Sequence, residues 1–405
     1  MKKSELLSDI RVAWLIPSME RGFCWLPLLE EFANIFPSST VFTGLWPRNQ
    51  SSKNLSFNLK VVGKTRFIKL GMKGSSYEKG IIIPPIDIPF YLLKFLPHVI
   101  IVVGFSFWTI IAILLKPFTK WRVIILYEGS APTIDSRESK LRIFERRLII
   151  RLTDALMTNS LSGESYLVQF LKANKERVFA RPYLVPDSKR QFLKEVNVET
   201  LLRDTKRPVF LYVGLIIQRK GLKFLIKALA SLKRKGCDNT TLVIVGDGPQ
   251  REELENMIKE EGMEKQVIWV GWVDYASLGY CFKSSDIFVL PSFEDTWGLV
   301  VLEAMAFGMP VLCSELAGAS EMVATGQNGY TFNPARDRPE ELAEIMRRFI
   351  DDPDLIRRMG ENSKQLVSSH TPKAVANFLK NIIELVLEGR DGSSIRLSEY
   401  QERQH

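Results

Sequence analysis

Short apolar segments alternate with longer helical segments along most of the chain, and this alternation restricts the fold more than any other feature. Apolar segments of the first half include residues 99–103 and 123–126, and those of the second half include 209–213, 241–245 and 287–290. Strands that are apolar along their whole length are typical of parallel sheets with helices on both faces. The sequence therefore predicts an α/β protein whose ligands bind beyond the carboxyl ends of the strands.

A polar, charged stretch at residues 187–207 separates two such alternating regions. Its composition is typical of a linker, and an apolar strand follows directly after Pro208. The predicted divisions are an N-terminal Rossmann-like domain at 1–190, a linker at 191–207, a second Rossmann-like domain at 208–370, a helix at 371–387 and a polar tail at 388–405. We expect the tail to be disordered, because it has too few apolar residues to form a core.

The composition limits the kinds of partner and cofactor. The 405 residues carry a net charge of +9, which suits nucleotides, nucleic acid or an acidic membrane surface without choosing among them. The four cysteines have no CxxC spacing and the three histidines no HExxH spacing, so neither a disulfide framework nor a histidine-built metal site is predicted. The first apolar run is interrupted by Asp9 and Arg11, which favours a strand over a signal peptide. We therefore expect a cytoplasmic location.

Residues 91–118 form the longest apolar region. Lys94 and Pro97 interrupt it, and a membrane-spanning helix normally needs about 20 consecutive apolar residues. We therefore predict a buried strand at 98–103 followed by an apolar helix at 107–115, with a membrane span as the alternative.

A second segment, residues 136–151, raises the question of membrane contact. Leu141, Phe144 and Leu148 have helical spacing, and basic residues flank them. Two interpretations stay open. Either the apolar stripe packs on the sheet and the basic face is solvated, or the helix lies on a membrane surface.

Two acidic residues, Asp295 and Glu303, stand out in the stretch 289–313. Glu303 lies among apolar residues in a predicted helix that begins near Thr296, which suits an N-cap, and ends before Gly308. A carboxylate in a buried helix is costly unless it has a partner, so Glu303 either is satisfied within the core or faces a ligand. Along such a helix, eight residues span roughly 12 Å, the length of a ligand with polar groups at both ends.

Two basic residues, Arg219 and Lys220, close the segment GLIIQRKG, which joins the strand 209–213 to a helix. Cations at a helix N-terminus oppose the helix dipole. The arrangement makes sense if an anion binds there, although a solvated surface pair is equally consistent with the sequence.

The pattern Asp295-x7-Glu303 within PSFEDTWGLVVLEAMAFGMPV resembles the paired-acid signature of retaining glycosyltransferases of family 4. That resemblance implies the GT-B fold, with two Rossmann-like domains facing each other across a cleft and a terminal helix that packs back on the first domain. It also implies that Asp295 contacts the sugar hydroxyls and Glu303 the ribose. Arg219 and Lys220 would hold the diphosphate, although Leu215 occupies the place where the family usually has the Arg.

The same resemblance implies further positions. The residues expected to contact the donor are Gly214, Glu294, Thr296, Trp297, Gly298, Leu299 and Trp272. Gly22 and Glu128, which follow strands of the first domain, are the candidates on the acceptor side. Each has an equally good interpretation as an ordinary loop residue. Residues 244–254 resemble a GDGP turn of structural importance, and residues 317–330 a loop near the donor.

We therefore expect a retaining hexosyltransferase that moves a sugar from a nucleotide-sugar donor to a glycan, a lipid-linked saccharide or a small molecule. It would bind no nucleic acid, would need no metal, and could contact an anionic membrane peripherally. An inactive GT-B scaffold that serves as a partner subunit is the alternative. A nicotinamide oxidoreductase is disfavoured, because neither domain has GxGxxG after its first strand.

Overall fold

The computed structural model describes residues 7–19, 22–46, 55–63, 66–69, 80–83, 85–187, 202 and 205–389. The chain forms two compact units, Met1–Leu184 together with Pro372–His405, and Val185–Thr371. We call them unit 1 and unit 2. Most of the predicted linker, and the predicted tail, lie outside the described residues.

Unit 1 contains a parallel sheet, as the continuously apolar segments predicted. Its strands are β1 Val12–Leu15, β2 Thr40–Thr43, β3 Asn58–Val61, β6 Val99–Val103, β7 Arg122–Tyr127, β8 Ala155–Thr158 and β9 Val178–Ala180. They pair in the order β3-β2-β1-β6-β7-β8-β9, all parallel. A separate antiparallel pair consists of β4 Arg66–Lys69 and β5 Gly80–Ile83.

Helices cover this sheet. They are α1 Leu26–Ile35, α2 Ile88–Phe95, α3 Phe107–Thr119, α4 Pro132–Asp135, α5 Lys140–Leu152, α6 Leu161–Ser165 with a π-helical turn at Tyr166–Phe170, and the terminal helix Pro372–Glu388. Residues 91–118 thus contain the predicted strand and helix, and Ser106 caps α3 by accepting from the Thr109 amide. Within the described residues, every helix is too short or too polar to cross a lipid bilayer.

The terminal helix packs against α1. It buries Val375, Phe378, Leu379 and Ile382, and the Phe378 ring lies 6.0 Å from that of Phe179. The last helix of the chain is therefore part of the core of unit 1.

Unit 2 repeats the architecture with six parallel strands. They are β10 Val209–Val213, β11 Thr241–Val245, β12 Val267–Gly271, β13 Ile287–Leu290, β14 Val311–Ser314 and β15 Gly329–Phe332. The order is β12-β11-β10-β13-β14-β15. The order reverses between β10 and β13, which is where open parallel sheets bind ligands.

Among the described residues, six α-helices cover the sheet of unit 2. They are α7 Leu222–Arg234, α8 Arg251–Glu260, α9 Leu278–Lys283, α10 Leu299–Ala306, α11 Pro339–Asp351 and α12 Asp354–Val367, so the terminal helix of unit 1 is α13. Helix α7 has a wide apolar face, with Leu225, Ile226 and Leu229 fully buried. This packing fixes α7 on the sheet beside β10.

The interpretation that residues 136–151 pack their apolar stripe on the sheet is wrong. In α5 the buried residues are Ile149 and Ile150, whereas Leu141, Phe144 and Leu148 are exposed. The core-facing side of this helix therefore differs from the one that its most regular apolar spacing indicated.

Candidate active site

The candidate site lies where the strand order of unit 2 reverses. The loop after β10, residues 214–221, leads into α7, and the loop after β13, residues 291–298, leads into α10. Because β10 and β13 are neighbours, their carboxyl ends and the N-termini of both helices lie at the same place. Most of the residues predicted to bind the donor lie in these two loops.

The two loops are in direct contact. Gly221 has φ +70°, and a Cβ at this position would lie 1.8 Å from the Pro291 carbonyl oxygen, so only glycine fits. The amides of Phe293 and Glu294 both donate to the Arg219 carbonyl oxygen, at 2.7 and 3.3 Å. The backbone thus fixes the basic turn against the acidic loop.

The side chains of these loops pair across the contact. Lys220 Nζ donates to Asp295 Oδ2 at 2.5 Å, and the two side chains are only 16% and 11% exposed. Arg219 Nη1 donates to the Glu294 carbonyl oxygen at 3.1 Å. Four of the predicted residues therefore form one cluster, although its basic and acidic members are 75 positions apart in the chain.

A third loop, after β14, holds Asp295 from the other side. The Asp295 amide donates to the Leu316 carbonyl oxygen at 3.3 Å, and its own carbonyl accepts from the Gly318 amide at 3.1 Å. The Trp297 carbonyl accepts from the Ala319 amide at 2.6 Å. Asp295 therefore forms a parallel bridge with Ala317 of the third loop, and the bonds of residues 295–297 tie them to that loop.

The prediction that the helix begins near Thr296 is wrong. Gly298, at φ +94°, occupies the N-cap position, and α10 begins at Leu299. Residues 295–297 are bonded to the third loop, and a positive φ cannot belong to a right-handed helix. Asp295 is therefore outside the helix, and the distance calculated along one helix axis does not apply. The end of the helix agrees with the prediction, because Gly308 follows it at φ +78°.

Glu303 is the fifth residue of α10. It is 4% exposed and lies among buried residues of the same helix, as its apolar neighbours predicted. A carboxylate this deeply placed sits in a medium that screens its charge poorly. It belongs to the same helix whose N-terminus borders the cluster.

The charge of Asp295 raises the pKa of two neighbouring side chains, Tyr212 and Cys313. Burial is the main cause that raises the pKa of the Tyr212 hydroxyl, and the Asp295 carboxylate raises it further. The Arg219 guanidinium partly offsets this increase. Burial and Asp295 also raise the pKa of the Cys313 thiol. Tyr212 consequently stays a neutral donor, and its hydroxyl donates to the Leu215 carbonyl oxygen at 2.8 Å. The sequence did not single out Tyr212, since a tyrosine in an apolar strand carries no pattern.

The helix ends at the site suit an anion. All residues of α7 and α10 are described, and the first turn of each contains no carboxylate. Free backbone N–H groups and the helix dipole make such N-termini favourable for phosphate. The site therefore combines two helix N-termini, two cationic side chains and three buried carboxylates, those of Glu294, Asp295 and Glu303.

The predicted GDGP turn is structural. A Cβ on Gly246 would lie 1.9 Å from the Gly214 carbonyl oxygen, and one on Gly248 would lie 2.4 Å from that of Ile216. The turn after β11 therefore packs directly on the loop after β10. Gly214 lies in this contact, at the carboxyl end of β10.

The remaining predicted residues lie elsewhere. Trp272 follows the edge strand β12 and is exposed, with β11 between its strand and β10. Gly22 opens the 3-10 turn Gly22–Trp25, and Glu128 follows β7 and is exposed; both belong to unit 1. In the described part of the chain, no three His, Cys, Asp or Glu side chains are grouped so as to hold a metal ion.

Comparison with solved structures defines the class of fold. HepE of Anabaena in complex with UDP is similar over 93% of this chain and 100% of its own, with a TM-score of 0.74 and 17% identity. WaaG, a glycosyltransferase involved in lipopolysaccharide biosynthesis, is similar over 92% and 99%, with a TM-score of 0.61 and 17% identity. The two parallel-sheet, Rossmann-like units have the GT-B fold, as predicted.

The sequence similarity to known proteins lies mainly in unit 2. Residues 194–366 match the sequence profile of the family Glycosyl transferases group 1. The alpha-D-kanosaminyltransferase of Streptomyces kanamyceticus is 33% identical over 198 residues, 47% of this chain and 50% of that protein. The glycogen synthase of Mycobacterium tuberculosis is 35% identical over 159 residues, 39% of this chain and 38% of that protein. The chain spans about half the length or less of these curated relatives. For residues 194–366 the predicted resemblance to glycosyltransferases is confirmed at the level of group 1.

Proposed function

We propose that this protein transfers a hexose from a nucleotide-sugar donor to a hydroxyl group, with retention of the anomeric configuration, as in family 4. The observation that carries the proposal is the Lys220–Asp295 pair, placed between two helix N-termini at the strand reversal of unit 2. UDP in the complex with HepE and the group 1 match of residues 194–366 support it.

The reaction requires stabilisation of the leaving diphosphate. Lys220 and Arg219 would supply positive charge at the first turn of α7, where the diphosphate oxygens gain charge as the sugar bond breaks. Because these cations and the helix N-termini carry the positive charge, we propose that the transfer needs no divalent metal. Added chelator would then leave the rate unchanged.

Lys220 and Asp295 neutralise each other in an ion pair of 2.5 Å. We propose that the donor diphosphate takes over Lys220 and that Asp295 turns to the sugar hydroxyls. Donor binding would thereby exchange one charged hydrogen bond for two, and would place the carboxylate where the sugar must be oriented.

The other predicted residues have supporting roles in this proposal. Glu303 would accept hydrogen bonds from the ribose hydroxyls, and Trp272 would lie beside the base. The backbone of Gly214, Glu294, Thr296, Trp297, Gly298 and Leu299 would line the donor. Gly22 and Glu128 of unit 1 would lie on the acceptor side, where the acceptor is a glycan, a lipid-linked saccharide or a small molecule.

A binding screen followed by a turnover assay tests the proposal. Thermal unfolding would be measured with a panel of nucleoside diphosphates, and the nucleotide sugars of those that stabilise the protein would be incubated with it. We expect stabilisation by at least one nucleotide, release of the nucleoside diphosphate over hours, and a product of unchanged anomeric configuration by NMR. Binding without release would favour an inactive scaffold, and no binding would refute the donor site.

The role of Glu303 can be separated from that of the diphosphate site. In Glu303→Gln we expect affinity for the nucleoside diphosphate to fall about tenfold to a hundredfold, because a charged acceptor for buried hydroxyls is lost. Affinity for inorganic pyrophosphate, which has no ribose, should not change. Calorimetry checks both, with Glu340→Gln on the exposed side of α11 as the control. Equal affinity of variant and wild type for the nucleotide would contradict the ribose role.

A further inference from the structure

Helix α5 of unit 1 has its polarity reversed relative to an ordinary surface helix. Leu141 and Phe144 are 77% and 67% exposed, and Leu148 is exposed beside them. Arg146, in contrast, points inward, where its guanidinium donates to Tyr166 Oη at 2.6 Å and to the Asp135 carbonyl oxygen at 2.7 Å. A soluble helix normally buries its apolar stripe and solvates its cations, so the exposed stripe calls for an apolar environment outside the chain.

The neighbouring helix α3 extends this surface. Leu114 and Phe118, one helical turn apart, are exposed, Phe118 at 85%. Helices α3 and α5 are in contact, and Lys116 Nζ of α3 donates to the Leu152 carbonyl oxygen at the end of α5. Both helices also bury residues in one core cluster, so their outer sides face the same direction. We call the α3–α5 face the set Leu114, Phe118, Leu141, Phe144, Leu148 and Leu152.

Basic residues predominate around the α3–α5 face. The exposed basic residues next to it are Lys120, Lys140, Arg142, Arg147 and Arg151. Helix α3 contains no carboxylate, and α5 contains one, Glu145. Apolar side chains with basic neighbours suit an anionic bilayer, because the apolar groups can contact the acyl chains while the basic groups contact the anionic headgroups.

We propose that the α3–α5 face docks this protein onto an anionic lipid surface. The Leu and Phe side chains would enter the boundary between headgroups and acyl chains, while the long basic side chains reach up to the lipid phosphates. A second copy of the chain fits less well, because two identical faces of the same positive sign would repel each other. The inference does not depend on the transfer reaction, since none of these residues belongs to the candidate site.

The experiment uses the full chain and sucrose-loaded vesicles, either of phosphatidylcholine alone or of equal parts phosphatidylcholine and phosphatidylglycerol. We expect co-sedimentation with the anionic vesicles that weakens as salt is raised. Phe118→Ser with Phe144→Ser should reduce binding by about tenfold or more, because two exposed phenyl groups no longer leave water. Lys120→Gln with Arg151→Gln should reduce it by roughly tenfold through lost attraction to the headgroups.

Matched controls come from unit 2, where Leu366 is exposed on α12 and Lys227 on α7. Leu366→Ser and Lys227→Gln should bind vesicles as the wild type does, and all variants should keep the wild-type unfolding temperature and nucleotide affinity. The proposal fails if the wild type stays in the supernatant with anionic vesicles, or if Phe118→Ser with Phe144→Ser binds them undiminished. It also fails if light scattering shows a dimer that this double variant dissociates, because a second copy would then cover the face.

Discussion

Under the proposed function, Asp295 and the donor diphosphate compete for Lys220. The Lys220–Asp295 pair is short and largely shielded from water, so each charge satisfies the other. A diphosphate that binds Lys220 must first displace the carboxylate. This competition distinguishes a functional ion pair from a purely structural one. It predicts that removing the charge of Asp295 has opposite effects on diphosphate binding and on turnover.

Asp295→Asn should therefore tighten the binding of a nucleoside diphosphate by roughly fivefold, since Lys220 no longer has an internal partner. The same variant should lower kcat with the nucleotide sugar by about a hundredfold, because the sugar loses its orienting carboxylate. Calorimetry and a turnover assay check the two effects, with Lys220→Ala as the opposite case that weakens both. Weaker diphosphate binding in Asp295→Asn would show that the carboxylate does not compete for Lys220.

At the scale of the element, the contact between the loops after β10 and β13 depends on a glycine. Gly221 combines a positive φ with a close approach to the Pro291 carbonyl oxygen, whereas Gly236, at φ +79°, has no heavy atom within 4 Å of an added Cβ. Both positions carry the same backbone penalty for an L-residue, but only one has a steric penalty. The difference in stability between the alanine variants at Gly221 and Gly236 therefore measures the free energy needed to separate the two loops.

Gly236→Ala should cost about 1 kcal/mol of the free energy of unfolding, the usual penalty for a left-handed alanine. Gly221→Ala should cost roughly 3 kcal/mol or more, because the loop after β13 must also move away. Urea denaturation followed by the fluorescence of the unit 2 tryptophans measures the difference. If both variants lost the same stability, the loops would not be in the contact described.

Local sequence predicted some elements better than others, and two helices show why. The end of α10 could be predicted, because a glycine after an apolar helix is a local signal. Its beginning could not, because residues 295–297 are bonded to a loop more than 20 positions later in the chain. Likewise, the spacing of Leu141, Phe144 and Leu148 predicted a helix correctly, but which side faces the core depends on the network around Arg146.

At the scale of the whole molecule, the alternation of apolar strands and helices was enough to predict two parallel sheets, since composition along each strand is a local property. The strand order was not, because pairing depends on contacts between distant segments. The Lys220–Asp295 cluster illustrates the difference. The resemblance assigned its members to one donor, and the adjacency of β10 and β13 shows how segments 75 positions apart meet.

The discontinuity of unit 1 leads to a prediction about how the molecule unfolds. Phe378 of α13 packs on Phe179, and the Arg181 guanidinium lies 5.0 Å from its ring. Phe378→Ala should therefore cost about 3–5 kcal/mol, whereas Phe90→Ala, at an exposed position of α2, should cost less than about 0.5 kcal/mol.

Hydrogen exchange measured by mass spectrometry locates the loss. In Phe378→Ala the amides of β7, β8 and α1 should exchange roughly a hundredfold faster, because the opening of unit 1 becomes easier, while those of α7 and β10 should change much less. The stretch Val185–Thr371 is a separate compact unit, so we expect its opening to be affected less. Equal acceleration in both units would show that the chain unfolds as one cooperative body. No acceleration in unit 1 would show that α13 is not part of its core.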